Sequence, residues 1–261
     1  MTLFKHEMRQ GRKTVMIWTI AISFFLVVSV LIYPEMKGQL AQATSMFKSM
    51  GAFSSAFGMD TMDFGSIKGY YGTECGNVLG LGGALFAALI GIAMLAKEEK
   101  DGTAEFLLTH PLNRAEAVTA KLAAVLAEVT VMNLTVFLIS ALSLAAIGEA
   151  VFWKELILLH TAYWLMQVEI ACVCFGISAV VRRGGLGIGL GLAIGLYFMN
   201  LIANLTTQAK WLKYITPFGY CDSADILAKS AIHTGRLLAG AGFILAGVAL
   251  AYWKYCRKDI R

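Results

Sequence analysis

Charge is scarce in this chain. Asp, Glu, Lys and Arg make up 15% of its 261 residues, against about 25% in an ordinary soluble domain. The five cysteines, Cys75, Cys172, Cys174, Cys221 and Cys256, show neither CxxC nor zinc-knuckle spacing, so no redox motif or structural zinc site follows from them. The four histidines are scattered. With no His-rich cluster and no Gly-flanked serine paired to a histidine, the groups an intramembrane enzyme needs are missing. No GxxxxGK followed by Ser or Thr occurs, so the chain does not cradle nucleotide phosphates in the usual Gly-rich loop. Every loop is shorter than the roughly 50 residues of a soluble domain.

What is present is apolar. Hydrophobic residues make up 58% and gather in blocks near the length at which a helix crosses about 30 Å of hydrocarbon. Blocks such as Leu186 to Leu205 lack the in-and-out alternation of an outer-membrane barrel strand. The sequence therefore predicts an all-α polytopic membrane protein with six transmembrane helices in a single transmembrane domain. The spans are expected at about 15–33, 77–96, 121–147, 156–181, 186–205 and 237–255. A basic, partly amphipathic segment over 1–13 reads as an N-terminal interfacial helix. The first block is longer than a signal peptide's apolar stretch and meets Tyr33-Pro34-Glu35 rather than a small-residue cleavage site.

Six spans put both termini on one side. The formal net charge is +5, but the basic residues lie at block edges rather than on one patch, so they read as topology signals and not as a nucleic-acid surface. Lys5, Arg9, Arg12, Lys13, Lys97, Lys100, Arg114, Lys121, Arg182, Arg183, Lys254, Arg257, Lys258 and Arg261 share one side, 14 of the 22 Lys and Arg. Positive residues are retained in the cytoplasm, so N- and C-termini are expected there, in the cytoplasmic membrane. The outer loops 34–76 and 206–236 are long. The first carries Met46, Phe47, Met50, Phe53 and Phe57 at a spacing that suits an interfacial helix or a packed lid.

The stretch between the second and third spans, from Lys97 to Arg114, parses as a small helix at about 103–110 between two breaks. Gly102 loosens the end of the second span, Thr103 is able to cap a new helix, and Glu105 lies in its first turn, where an anion complements the helix dipole. Phe106, Leu107 and Leu108 give an apolar face. Pro111 stops the helix, and Asn113 with Glu116 forms a capping box for the next one. Such an element suits a groove on a partner protein or a seat on lipid headgroups.

The pattern Glu98-Glu99-x-x-Gly102-Thr103-x-Glu105-x-Leu107-Leu108-x-x-Pro111-x-x-Arg114, followed by Lys121, resembles the coupling-helix signature of permease subunits of type-2 ABC exporters. The likeness extends over nearly the whole chain, including Trp211-Leu212-Lys213-Tyr214-Ile215-Thr216-Pro217-Phe218 before the last span. It implies an ABC ATP-binding subunit as partner, with the coupling helix inserted into it, and a second permease copy or a similar permease beside this one. It implies that ATP and Mg are bound on the ATPase and that this chain binds no cofactor or metal and catalyses no reaction itself.

Two carboxylates fall inside spans, Glu128 near the cytoplasmic third of the third and Glu169 near the middle of the fourth. Intramembrane charges usually face a cavity or a partner, so both are candidates for the substrate pathway. Glu128 alternatively reaches the interface near Lys121, and Glu169 alternatively sits protonated between helices. Tyr197, Asn200 and Asn204 form a stripe on the fifth span that is expected to face protein or water, and the two asparagines join the carboxylates as candidates for the substrate pathway. Gly185, Gly187, Gly189, Gly191 and Gly195 supply small-xxx-small pairs for close helix approach. Cys75 and Cys221 lie on the outer side, where an oxidising environment would allow a disulfide. The alternative function is an ion-coupled secondary transporter using Glu169 and Glu128, although the halves 1–120 and 121–261 lack the internal repeat common in such folds.

Overall fold

The computed structural model describes residues 2–97, 113–181 and 185–257. Within them the protein is all-helical, and six helices are long and apolar enough to cross a membrane. These are α1 (Thr2–Ser49), the run Ile67–Met94, α5 (Arg114–Ala146), α6 (Trp153–Ser178), α7 (Leu186–Leu205) and α9 (Thr234–Arg257). The run Ile67–Met94 consists of α3 (Ile67–Cys75), a π turn (Gly76–Leu81) and α4 (Gly82–Met94). Short α2 (Ala52–Ala56) and α8 (Ser223–Lys229) lie outside the spans, with 3-10 turns at Thr207–Tyr214 and Pro217–Tyr220.

The first helix departs from the sequence reading. Residues 2–13 are not a separate interfacial helix, and Pro34 does not end the span: α1 runs unbroken to Ser49. Proline lacks the N–H of an interior helical bond, so tertiary contacts must hold the turns beyond it. Tyr33 is fully buried and donates its hydroxyl to Gly65 O at 2.7 Å. Three turns later Thr44 Oγ1 accepts from Phe64 N at 3.2 Å, and the Phe47 and Phe64 rings meet at 5.0 Å. At 1.5 Å per residue α1 is about 70 Å long, more than twice the hydrocarbon thickness.

The run Ile67–Met94 and α6 form the centre, while α7 and α9 expose most of their span surface. In a bilayer such surfaces meet lipid chains that are as apolar as leucine, so close backbone approach rather than apolar burial drives packing. Glycine supplies it. A Cβ on Gly91 of α4 would stand 2.5 Å from Ala171 O of α6, and one on Gly247 of α9 would stand 2.5 Å from Cys172 O. Gly176 of α6 meets the Gly247 backbone at the same crossing. Gly76 and Gly80 make room for the Tyr163 ring beside the π turn.

Candidate functional site

Around the start of α1, residues Leu3, Glu7 and Gly11 repeat every fourth position and so share one face of the helix. Glu7 is 1% exposed. Its Oε1 accepts from Lys121 Nζ of α5 at 2.9 Å, and its Oε2 pairs with Lys97, beyond the end of α4. Lys97 also donates to Gln10 Oε1 at 2.8 Å. Lys121 donates to Met94 O at 3.0 Å, meeting one of the carbonyls that a helix leaves unpaired at its C-terminus. A lone buried carboxylate would be costly; two lysines on one carboxylate offset that cost with charge-assisted hydrogen bonds. Glu128 lies one step deeper, against Gly11, where any Cβ would collide with its carboxyl. Glu128 Oε1 has no hydrogen-bond partner among the described residues. A cavity of about 340 Å³ opens here, lined by Gln10, Thr14, Lys97, Glu128 and Leu186 among others.

The middle of the bundle holds a second set of polar contacts. Asn133 of α5 donates to Gln167 Oε1 of α6 at 2.7 Å, and Gln167 Nε2 donates to Leu79 O of the π turn at 3.4 Å. Gly83 leaves space for the Gln167 amide. Tyr71 and His160 meet at 2.9 Å. Glu169, 3% exposed, accepts from the Tyr220 hydroxyl at 2.8 Å and lies against Gly240 of α9. Tyr220 belongs to the turn Pro217–Tyr220, which is tucked into the bundle from the side opposite the N-terminus. Thr216 Oγ1 donates to Leu196 O at 2.8 Å and Arg236 Nη1 to Gly219 O at 2.7 Å. Beside the turn, Lys213 pairs with Asp222 at 3.2 Å. Burial pushes the Asp225 carboxyl up, but the Lys229 hydrogen bond and charge, with Lys213 and Arg236, hold it below the usual range.

The four intramembrane candidates are not brought together. Glu128 faces Gly11, Glu169 faces Tyr220 and Gly240, and Asn204 Nδ2 donates to Ala56 O of α2 at 3.0 Å. Asn200 Oδ1 is buried without a partner among the described residues, and Tyr197 packs edge-on against Phe218 at 5.5 Å. Cys75 and Cys221 are buried free thiols, so the disulfide allowed by the sequence is absent. Cys221 Sγ instead donates to Ala162 O at 3.1 Å. Sequence reasoning passed over Glu7, Gln10, Asn133, His160 and Gln167. An amide in an apolar span was a usable signal for Asn133 and Gln167; a lone Glu among basic residues gave none for Glu7.

The family profile of the ABC-2 family transporter protein matches residues 1–260. The chain belongs to the ABC-2 transporter family. Among curated proteins none matches it significantly. With its six long apolar helices, this ABC-2 permease is a multi-pass membrane protein and a component of a transport system, and the family as a whole works with an ATP-binding subunit.

Of the expected coupling residues, Glu98, Glu99, Gly102, Thr103, Glu105, Phe106, Leu107, Leu108 and Pro111 lie outside the described residues. Arg114 opens α5, directly after Asn113, whose side chain accepts from Ala115 N at 3.3 Å as the helix cap. The segment 98–112 of the ABC-2 permease thus departs after Lys97 and returns two turns before Lys121, and both lysines share Glu7. The glycines of α7 divide into two faces. Gly185 and Gly189 pack on Ile92 of α4, whereas Gly187, Gly191 and Gly195 have nothing within 4 Å.

Proposed function

We propose that this ABC-2 permease is the membrane-spanning subunit of an ATP-driven exporter, with both termini cytoplasmic and the segment Glu98 to Arg114 docked on a separate ATPase that binds ATP and Mg. The single observation that carries the reading is the shared carboxylate: Glu7 holds Lys97 and Lys121, which bracket that segment. A push delivered between them is passed to α1, α4 and α5 together, because each contributes a group to the cluster. Alternating access then follows from differential binding, since nucleotide shifts the permease only if the ATPase engages its two arrangements unequally. Glu128 lies next to the cluster and lines its cavity, which supports a place for it on the substrate route; Glu169 is tied to a turn from the far side and suits a role in closing that end. Family membership supports this reading over ion coupling through the two carboxylates.

The open face of Gly187, Gly191 and Gly195 supports a second permease copy, or a similar permease, packed against α7. Their spacing of four is the small-xxx-small pattern that lets two helix backbones touch in a membrane.

The test is a mild-detergent pull-down of the tagged chain from its native host, with and without L107D/L108D. The expected result is a nucleotide-binding ATPase that co-purifies with the native chain and is lost with the variant. Intact, correctly inserted protein that never retains an ATPase would overturn the exporter reading, and transport driven by a proton gradient with E169Q as control would follow.

A further inference from the structure

On the lipid-facing side of α5 and α6 lies a cleft that the proposed coupling does not use. Its volume is about 500 Å³, within the roughly 300–1,000 Å³ usual for small-molecule sites. Leu134 and Ile157 stand at the rim, 58% and 50% exposed, and Phe137 and Trp164 form walls. The floor is different. Asn133 and His160 line the cleft while being only 4% and 5% exposed. Asn133 donates from Nδ2 to Val129 O at 2.9 Å and to Gln167 at 2.7 Å, which leaves Oδ1 without a partner among the described residues. His160 Nε2 is engaged with the Tyr71 hydroxyl, which leaves Nδ1 in the same state. Thr130 is satisfied, donating to Leu126 O and accepting from Trp164 Nε1.

We propose that this cleft is a lateral binding site for a neutral, hydroxyl-bearing lipid-like molecule taken from the surrounding bilayer. Two polar atoms of the floor side chains, both shut away inside the protein, have no partner among the described residues, and each is costly until one arrives. Asn133 Oδ1 accepts only, so the occupant must carry a donor; His160 Nδ1 either donates or accepts according to its tautomer, and a hydroxyl serves both. The apolar walls require the rest of the molecule to be hydrocarbon. No charged side chain lines the cleft among the described residues, so a phosphate or ammonium group would be buried uncompensated. That selects a neutral lipid rather than a phospholipid headgroup.

The experiment uses the membrane-reconstituted chain in phosphatidylcholine nanodiscs and a long-chain fatty alcohol with a diazirine in its tail. After irradiation, adducts are expected to concentrate on residues 130–137 and 157–164. Unlabelled alcohol is expected to displace the probe, and its methyl ether, which cannot donate, to do so about fivefold less well, the ratio that one ordinary hydrogen bond gives. L134W, a change at an exposed rim position, is expected to remove the adducts by filling the cleft. Adducts spread over α1, α7 and α9 in proportion to their lipid exposure would overturn the site. Equal competition by alcohol and ether would overturn the role given to Asn133 and His160.

Discussion

Lys121 Nζ sits 2.9 Å from Glu7 Oε1 across the contact between the two longest described helices, and both side chains are shut away from solvent. Removing one member of a buried pair leaves the other uncompensated, which typically costs about 3–5 kcal/mol. Because Lys97 still faces Glu7, K121M is expected at the low end of that range. Thermal unfolding in detergent, read by size-exclusion, checks it: K121M should melt earlier than the native chain, and E7Q/K121M should recover part of the loss. Equal melting of native and K121M would show that the pair is not a structural tie.

Glycines at crossings and glycines on the open face are predicted to respond oppositely. G91L forces a side chain into the Ala171 carbonyl and should reduce folded yield, since overpacking costs about 1–3 kcal/mol or more. G191L meets nothing within 4 Å and should leave single-chain melting unchanged while weakening association of two copies. Cross-linking of the reconstituted complex separates the two effects.

Y220F removes the donor to Glu169 Oε2. A buried acceptor left unmatched costs about 1–3 kcal/mol, so the variant should melt earlier. Protease access to residues 207–222 should rise if the turn is held by this bond. Unchanged cleavage would mean that Thr216 and Arg236 hold the turn by themselves.

Asp225 is the group whose pH dependence is plain from its surroundings. Its carboxyl is held below the usual range once folded, so the stability it contributes is fully present above the unfolded pKa and is lost as pH falls through the folded one. Being over a third exposed, it contributes little, in keeping with surface pairs worth about 0–1 kcal/mol. D225N should narrow the difference in melting temperature between neutral pH and pH below about 4; a difference identical to the native chain's would remove Asp225 from the account.

The six spans were legible because nothing else places apolar residues in blocks of that length, and α7 began and ended where its block did, at Leu186 and Leu205. The extension of α1 was not. Residues 34–49 are mixed in character and open with a proline, and the contacts that keep them helical come from Phe64 and Gly65, which no local pattern announces. The polar chain was half legible. Glu128 and Glu169 stood out as charges in apolar runs, but their true neighbours are glycines, Gly11 and Gly240, whose meaning depends on which helices cross. Glu7 was hidden for the opposite reason, since a carboxylate amid Lys5, His6 and Arg9 looks like ordinary surface.

The continuity of α1 through the bilayer makes it a lever. It is held near one tip by the lysines on Glu7 and beyond the membrane by Gly65 and Phe64. A rod of about 70 Å that tilts by about 5° around its middle moves each tip by about 3 Å, in opposite directions. Wherever α1 tilts as a single rod about its middle, a displacement begun at the first turns arrives on the far side reversed in sign, with no relay of side chains needed between them.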